Sequence, residues 1–485
     1  MTDPEPEGVA PDSGSVTRAA PHRRFSLLLT VACSIIVAVY IGLPLGSLID
    51  SRASPLAQLD RPEDSLRRLV TRELDLYEAM RHGLDWEWRV YRIFSGGEDP
   101  VGQARSWYDE MADTVDSPSV DLGRAILLGE SGDVDQTEEA ISQWKSWGES
   151  GERMASWISA AYLGGPPGAD AGRTMIALIR DTLEDDWFAD TLAARIATRI
   201  EDAPARSEAH AAIVSRGRTL QRRLRLLMAL TVGLIVLGAV TLVLWLARRS
   251  PARVADAPLP PDWSFADGYA LFVRGLGVPQ AIILAILFFL RRETPVEPVL
   301  MMAAELPLLW WVVVDLRARQ SSMGAAFGLI PPRQAWPRLA GVTLLLVGLG
   351  LLGDAAINAA GSLVGFTSHW TDGFSENILW DPRWLLVADT FDASVWAPMV
   401  EELTFRGLLY GTLRTRLGPW PSAPLSAVLF TLPHGYATAG SLSVLMSGLL
   451  WAWAYERTRS LLPGLLAHSA NNLVSTLWVV GLLRL

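Results

Sequence analysis

Two adjacent carboxylates and an arginine, Glu401, Glu402 and Arg406 of the stretch EELTFRG, stand inside an apolar segment that begins near Trp384. An ionisable group at membrane depth costs roughly 2.5–3.5 kcal/mol, so such residues face a bundle interior or a wet cavity. Glu402 and Arg406 are four residues apart and can pair along one helix face. Glu401 points elsewhere and has no local counter-charge. The sequence holds six histidines, and two of them lie in later apolar segments: His434 in LFTLPHG, four residues after Phe430, and His468 in LLAHSANN, one turn before Asn472. Measured from the flanking arginines at about 1.5 Å per residue, Glu401, His434, His468 and Asn472 fall at similar depth. A carboxylate, two imidazoles and a carboxamide in one pocket could take a proton from water and hold a developing anion. Each residue also has a plainer reading. A lone membrane histidine can be a packing hydrogen-bonder, the Glu402–Arg406 pair can be structural, and Asn472 can be interhelical glue. Glu305, Asp354, Asp389 and Asp392 are other intramembrane carboxylates, to which structural roles are assigned.

These residues need helices to place them, and the chain reads as all-α. It has 485 residues, half of them hydrophobic, with apolar runs crowded into 25–49 and 224–485. Residues 1–24 are rich in Pro, Ser, Asp and Glu, a composition that does not build a core. Residues 25–49 are long enough to span a bilayer and lack a clean cleavage site, so they read as an uncleaved anchor rather than a signal peptide. Residues 51–215 read as an acidic, helical, soluble domain, with 31 Asp+Glu against 17 Lys+Arg, a net of −14. Its tryptophans (Trp86, Trp88, Trp107, Trp144, Trp147, Trp157 and Trp187) read as core and helix-packing residues. A second span (224–247), a Pro-rich linker (251–264), accessory spans (265–384) and a terminal membrane domain (385–482) complete a polytopic bundle of about nine transmembrane helices. The shortest of these are 423–438 and 441–456.

Arginines in short loops set the orientation. Arg317, Arg319, Arg333 and Arg338, then Arg414 and Arg416, then Arg457 and Arg459, mark cytoplasmic ends, and the acidic loop TSHWTDGFSENILWD lies outside. The N-terminus is then cytoplasmic and 51–215 extracytoplasmic, with the bilayer as the chief partner. One segment disagrees, because RGRTLQRRLR (216–225) would also lie outside. No basic patch exists to neutralise phosphates, which argues against nucleic acid. The single cysteine, Cys33, excludes an internal disulfide and a cysteine-based metal cluster.

Taken in order, Glu401-Glu402-Leu-Thr-Phe-Arg406, Phe430-Thr-Leu-Pro-His434 and His468-Ser-Ala-Asn-Asn472 resemble the CAAX protease and bacteriocin-processing family of intramembrane endopeptidases. The resemblance covers about residues 385–480, and the 51–215 domain is not part of that family's usual core. It implies hydrolysis of a peptide bond in a membrane-associated peptide or protein, and the arginine-rich composition and compact layout point to a bacterium and so to its inner membrane. Prenylated C-termini are the substrate class of the similar eukaryotic enzymes. Glu401 is then the general base, with His434 sharing the polarisation of water and His468 and Asn472 presenting donors to the oxyanion. Glu402 and Arg406 hold helix geometry or orient substrate, with Phe430 supporting. Two chemistries stay open: Zn²⁺ held by Glu401, His434 and His468 with one open position, or direct activation of water without metal. Two rivals also stand, a non-catalytic scaffold or bacteriocin-immunity protein, and a transporter. The transporter lacks support from any inverted repeat.

Overall fold

The computed structural model of the protein describes residues 23–49, 56, 59–94, 99–248, 252–289, 296–364, 370–371 and 376–484. Most of the expected N-terminal tail lies outside the described residues. Among those residues all regular structure is helical. Among the described residues five helices are long and apolar enough to cross a membrane: Ser26–Leu43, Ala203–Arg248, Phe265–Phe289, Glu297–Ala318 and Arg333–Gly361. The other four expected spans all fall in the last hundred residues, where the helices are shorter, interrupted or interspersed with polar groups. The helix written as 423–438 stops at Thr431, and the helix written as 441–456 runs Thr438–Thr458.

The domain between the first two long spans is a stack of short helices from Pro62–Arg81 to Trp187–Arg199. The side chains of Asp99, Asp133 and Asp186 cap three of them by accepting from Val101, Gln136 and Ala189 N–H groups, satisfying donors that have no intrahelical partner. Trp144, Trp157 and Trp187 are buried in the core, and Trp107 and Trp147 pack against it. Trp86 departs from the expectation and is exposed.

The boundary expected between 215 and 224 does not exist as a break. A single helix, Ala203–Arg248, begins in the domain and continues as an apolar span. This accounts for three of the five arginines of RGRTLQRRLR, with Arg218 and Arg222 exposed. Arg216 pairs with Asp75 and Asp190, Arg225 pairs with Glu87, and Arg223 donates to the Gly481 carbonyl. They are consumed in packing the domain onto the helix. The linker is likewise fixed: Val254, Ala255, Ala257, Leu259 and Trp263 are buried, and the Val254 N–H donates to the Thr458 carbonyl at 2.9 Å.

Candidate active site

The helix that starts at Arg383 does not keep one register. Residues Asp392–Trp396 and Glu402–Tyr410 form wider turns, in which N–H groups reach back five residues; such turns occur often at functional sites. The Ala397 N–H donates to the Asp392 carbonyl, so the next carbonyl, Ala393, would be served by Pro398, which has no N–H. Asn472 serves it instead, its Nδ2 donating to the Ala393 oxygen at 2.8 Å. The proline thus frees a carbonyl that the asparagine of a neighbouring helix takes up. One Nδ2 hydrogen of Asn472 is therefore engaged in holding this bend and the other is left to donate.

The i, i+4 pair forms as the spacing requires, with Arg406 Nη1 3.0 Å from Glu402 Oε1 and both side chains at most 2% exposed. The three guanidinium nitrogens nevertheless make no aligned hydrogen bond. The cation lies instead against two rings, 4.1 Å from the Phe430 centroid and 4.9 Å from that of Trp451; this arrangement stabilises a desolvated guanidinium. Room for the pair comes from missing side chains. A Cβ at Gly448 would stand 3.2 Å from Arg406 Nη2, and one at Gly464 3.2 Å from Glu402 Oε2.

His468, on the helix Leu462–Val479, is buried between the two carboxylates. Its Nδ1 is 3.3 Å from Glu402 Oε1 and its Nε2 3.6 Å from Glu401 Oε2. Its ring stacks on Trp451, with centroids 4.0 Å apart and planes 18° apart. The carboxylate of Glu402 can only accept, so Nδ1 carries the proton, and Nε2 faces Glu401 ready to share another. His434 ends the helix Pro419–Thr431 and its short continuation, and Gly435 follows with a φ of 64° that turns the chain away. Its Nδ1 donates to the Phe430 carbonyl at 2.9 Å, which in the neutral ring leaves Nε2 as an acceptor. The Phe430 ring contacts both imidazoles, with centroids 4.8 Å from His434 and 6.0 Å from His468. These contacts link Glu401, Glu402, Arg406, His434 and His468 through one another and Phe430, whereas the described contact of Asn472 is with the Ala393 carbonyl.

Residues 383–474 match the family model described as type II CAAX prenyl endopeptidase Rce1-like. That is about a fifth of the chain. The motif resemblance read from the sequence points to the same family over nearly the same residues. No curated protein and no solved structure matches the chain.

In the CAAX-type segment several participants escape a reading of motifs. Trp451 has no charge to draw notice, yet it stacks on both His468 and Arg406. Tyr436 lies beside His434 with ring centroids 5.6 Å apart. Glu305 accepts from Trp396 Nε1 at 2.7 Å, and Asp354 accepts from the Ser443 hydroxyl at 2.7 Å. Glu305 and Asp354 lie outside this segment and stand out in the sequence as intramembrane carboxylates, and Tyr436 follows the histidine by two residues; Trp451 carries no such signal. As for the possible zinc set of Glu401, His434 and His468, no three His, Cys, Asp or Glu side chains among the described residues converge closely enough to hold a metal ion. As arranged, that donor set does not fit one ion, and no step below runs through a metal.

Proposed function

We propose that the protein is an intramembrane endopeptidase that hydrolyses a peptide bond in a membrane-associated peptide or protein. The observation that carries this reading is the placement of His468 between the Glu401 and Glu402 carboxylates, with His434 across the same phenylalanine. Glu401, whose side chain is 30% exposed, is the member of that group open to a water molecule. It takes a proton as the water oxygen attacks the scissile carbonyl, and His434 Nε2 accepts from the same water and orients it. The proton passes to the leaving amine, with His468 Nε2 beside Glu401 as the neighbouring site that can hold it. The free hydrogen on Asn472 Nδ2 is the donor available to the oxyanion. Glu402, clamped by Arg406, fixes the tautomer and tilt of His468. The family match and the apolar helices support a substrate reached from the bilayer. By the arginine pattern, the N-terminus is cytoplasmic and the 51–215 domain extracytoplasmic in a bacterial inner membrane.

The test compares protein N-termini in membranes from cells expressing the chain or its Glu401→Gln variant. Loss of specific termini with the variant, by roughly 100-fold or more as for removal of a general base, establishes proteolysis and names the substrates. Identical termini at equal protein abundance would overturn the reading and favour a scaffold.

A further inference from the structure

The soluble domain meets the CAAX-type segment at its two flanks. On the upstream side, Glu376 accepts hydrogen bonds from the backbone N–H groups of Asp60 at 2.6 Å and Arg61 at 3.0 Å, and from the Ser65 hydroxyl at 2.7 Å. Those groups form the start of the domain helix Pro62–Arg81, whose own N-cap residue, Arg61, makes no side-chain cap. The cap comes from a carboxylate more than three hundred residues away in the chain, placed at the positive end of the helix. Trp380 Nε1 donates to the same Ser65 hydroxyl at 3.2 Å. On the downstream side, Arg68 of that helix donates to the carbonyls of Leu483 at 2.9 Å and Arg484 at 3.1 Å. Arg484 closes the circuit by donating to the Ile378 carbonyl at 2.7 Å and to the Asp381 carbonyl.

Both flanks lead directly into the site. The helix Arg383–Phe391 follows the upstream flank and runs into the bend at Ala393 and on to Glu401. The helix Leu462–Val479, which carries His468 and Asn472, continues through the wider turn Val480–Arg484 into the downstream flank. We infer that Glu376, Arg68 and Arg484 form a clamp through which the soluble domain fixes the register of these two helices, with Glu376 as a positioning residue. The inference rests on the hydrolytic reading above. Its physical basis is that proton transfer among Glu401, His468 and substrate tolerates about an ångström of misplacement before rates fall by two orders of magnitude.

Two measurements test the clamp on the full chain. The first is kinetic: Glu376→Ala lowers kcat about 10-fold or more with KM nearly unchanged, and Glu376→Gln, which keeps an acceptor oxygen, recovers part of the loss. The second needs no activity. Spin labels on cysteines at the exposed positions Val387 and Leu473, in a Cys33→Ser background, give a distance distribution that broadens or shifts in Glu376→Ala. An unchanged distribution with wild-type kcat overturns the clamp, as does a variant whose only defect is lower abundance at normal activity per molecule. If Glu401→Gln leaves cleavage intact, the hydrolytic reading fails and the distance measurement still decides the clamp.

Discussion

The short-helix domain and the segment 383–474 that matches the family model bury charge in opposite ways. In the domain, Asp75 is fully buried and receives two hydrogen bonds from Arg216, at 2.8 and 3.2 Å. Glu87 takes two from Arg225 and a third from Gln221. In the CAAX-type segment, Arg406 is fully buried yet aligned with no acceptor, and Glu402 Oε2 has no hydrogen-bond partner. Buried polar groups are normally satisfied, and departures from local rules concentrate at functional sites. The domain's charges hold it together. The segment's charges are held in place by rings and absent side chains, which costs stability and leaves polar groups ready to act.

The strongest way to break this contrast is to remove Arg406. Arg406→Met strands the Glu402 carboxylate in an apolar interior, a loss of about 3–5 kcal/mol, read as a lower midpoint of thermal unfolding in detergent. Replacing both partners, Arg406→Met with Glu402→Leu, recovers most of that stability, because buried pairs are often no better than packed hydrocarbon. Cleavage stays lost in the double variant because His468 Nδ1 then has no carboxylate. If cleavage returned with stability, the pair would be structural only.

In the domain the matching experiment is a pH series. Burial pushes the Asp75 carboxyl up to about 6, against the opposing pull of Arg216. A carboxyl raised in the folded state favours folding at low pH: its contribution is complete below the unfolded value near 3.8 and is lost as pH rises through about 6. The difference in stability between the wild type and Asp75→Asn therefore changes by on the order of 2–3 kcal/mol between pH 4 and pH 7.5, with the wild type losing ground as pH rises. Hydrogen exchange in the helix Pro62–Arg81 reads it. A flat difference would mean that the Arg216 bonds cancel the effect of burial, and a reversed slope that they outweigh it.

The glycines sharpen the segment's side of the comparison. Gly448→Ala puts a methyl 3.0 Å from the Ala427 Cβ and 3.2 Å from Arg406 Nη2, and Gly464→Ala puts one 3.2 Å from Glu402 Oε2. Overpacking of this kind costs about 1–3 kcal/mol. The Glu402–His468 geometry moves with it, so kcat falls more than stability alone explains.

How much of this the sequence disclosed follows from what each feature depends on. The family resemblance, the all-helical class and the pairing of Glu402 with Arg406 depend on residue type and short spacing, and all are legible in the sequence. The wide turns at 392–396 and 402–410 were not, because Pro398 announces a break in register without saying where it falls. Trp451, Gly448 and Gly464 were silent because stacking and close approach are properties of two helices at once. The long helix Ala203–Arg248 was divided at its arginines, since a basic run reads as a loop until its acidic partners, Asp75, Glu87 and Asp190, are seen across the domain. In the terminal hundred residues length and apolar composition do not single out further spans among the described residues, because polar groups and wide turns interrupt the apolar runs there.

The smallest effect is the control that gives the others meaning. Arg195 and Glu130 form a two-pronged pair at 2.6 Å for each bond, shorter than any contact Arg406 makes with Glu402. By distance alone it is the stronger bridge. Its arginine is 51% exposed, however, so water screens the attraction and solvates either partner once the other is gone. Arg195→Ala then costs no more than about 1 kcal/mol, with cleavage unchanged, measured beside Arg406→Met in the same detergent. Equal losses from the two variants would mean that burial does not set what an ion pair contributes here, and the contrast between a domain whose buried charges are satisfied and a segment whose buried charges are not would have to be abandoned.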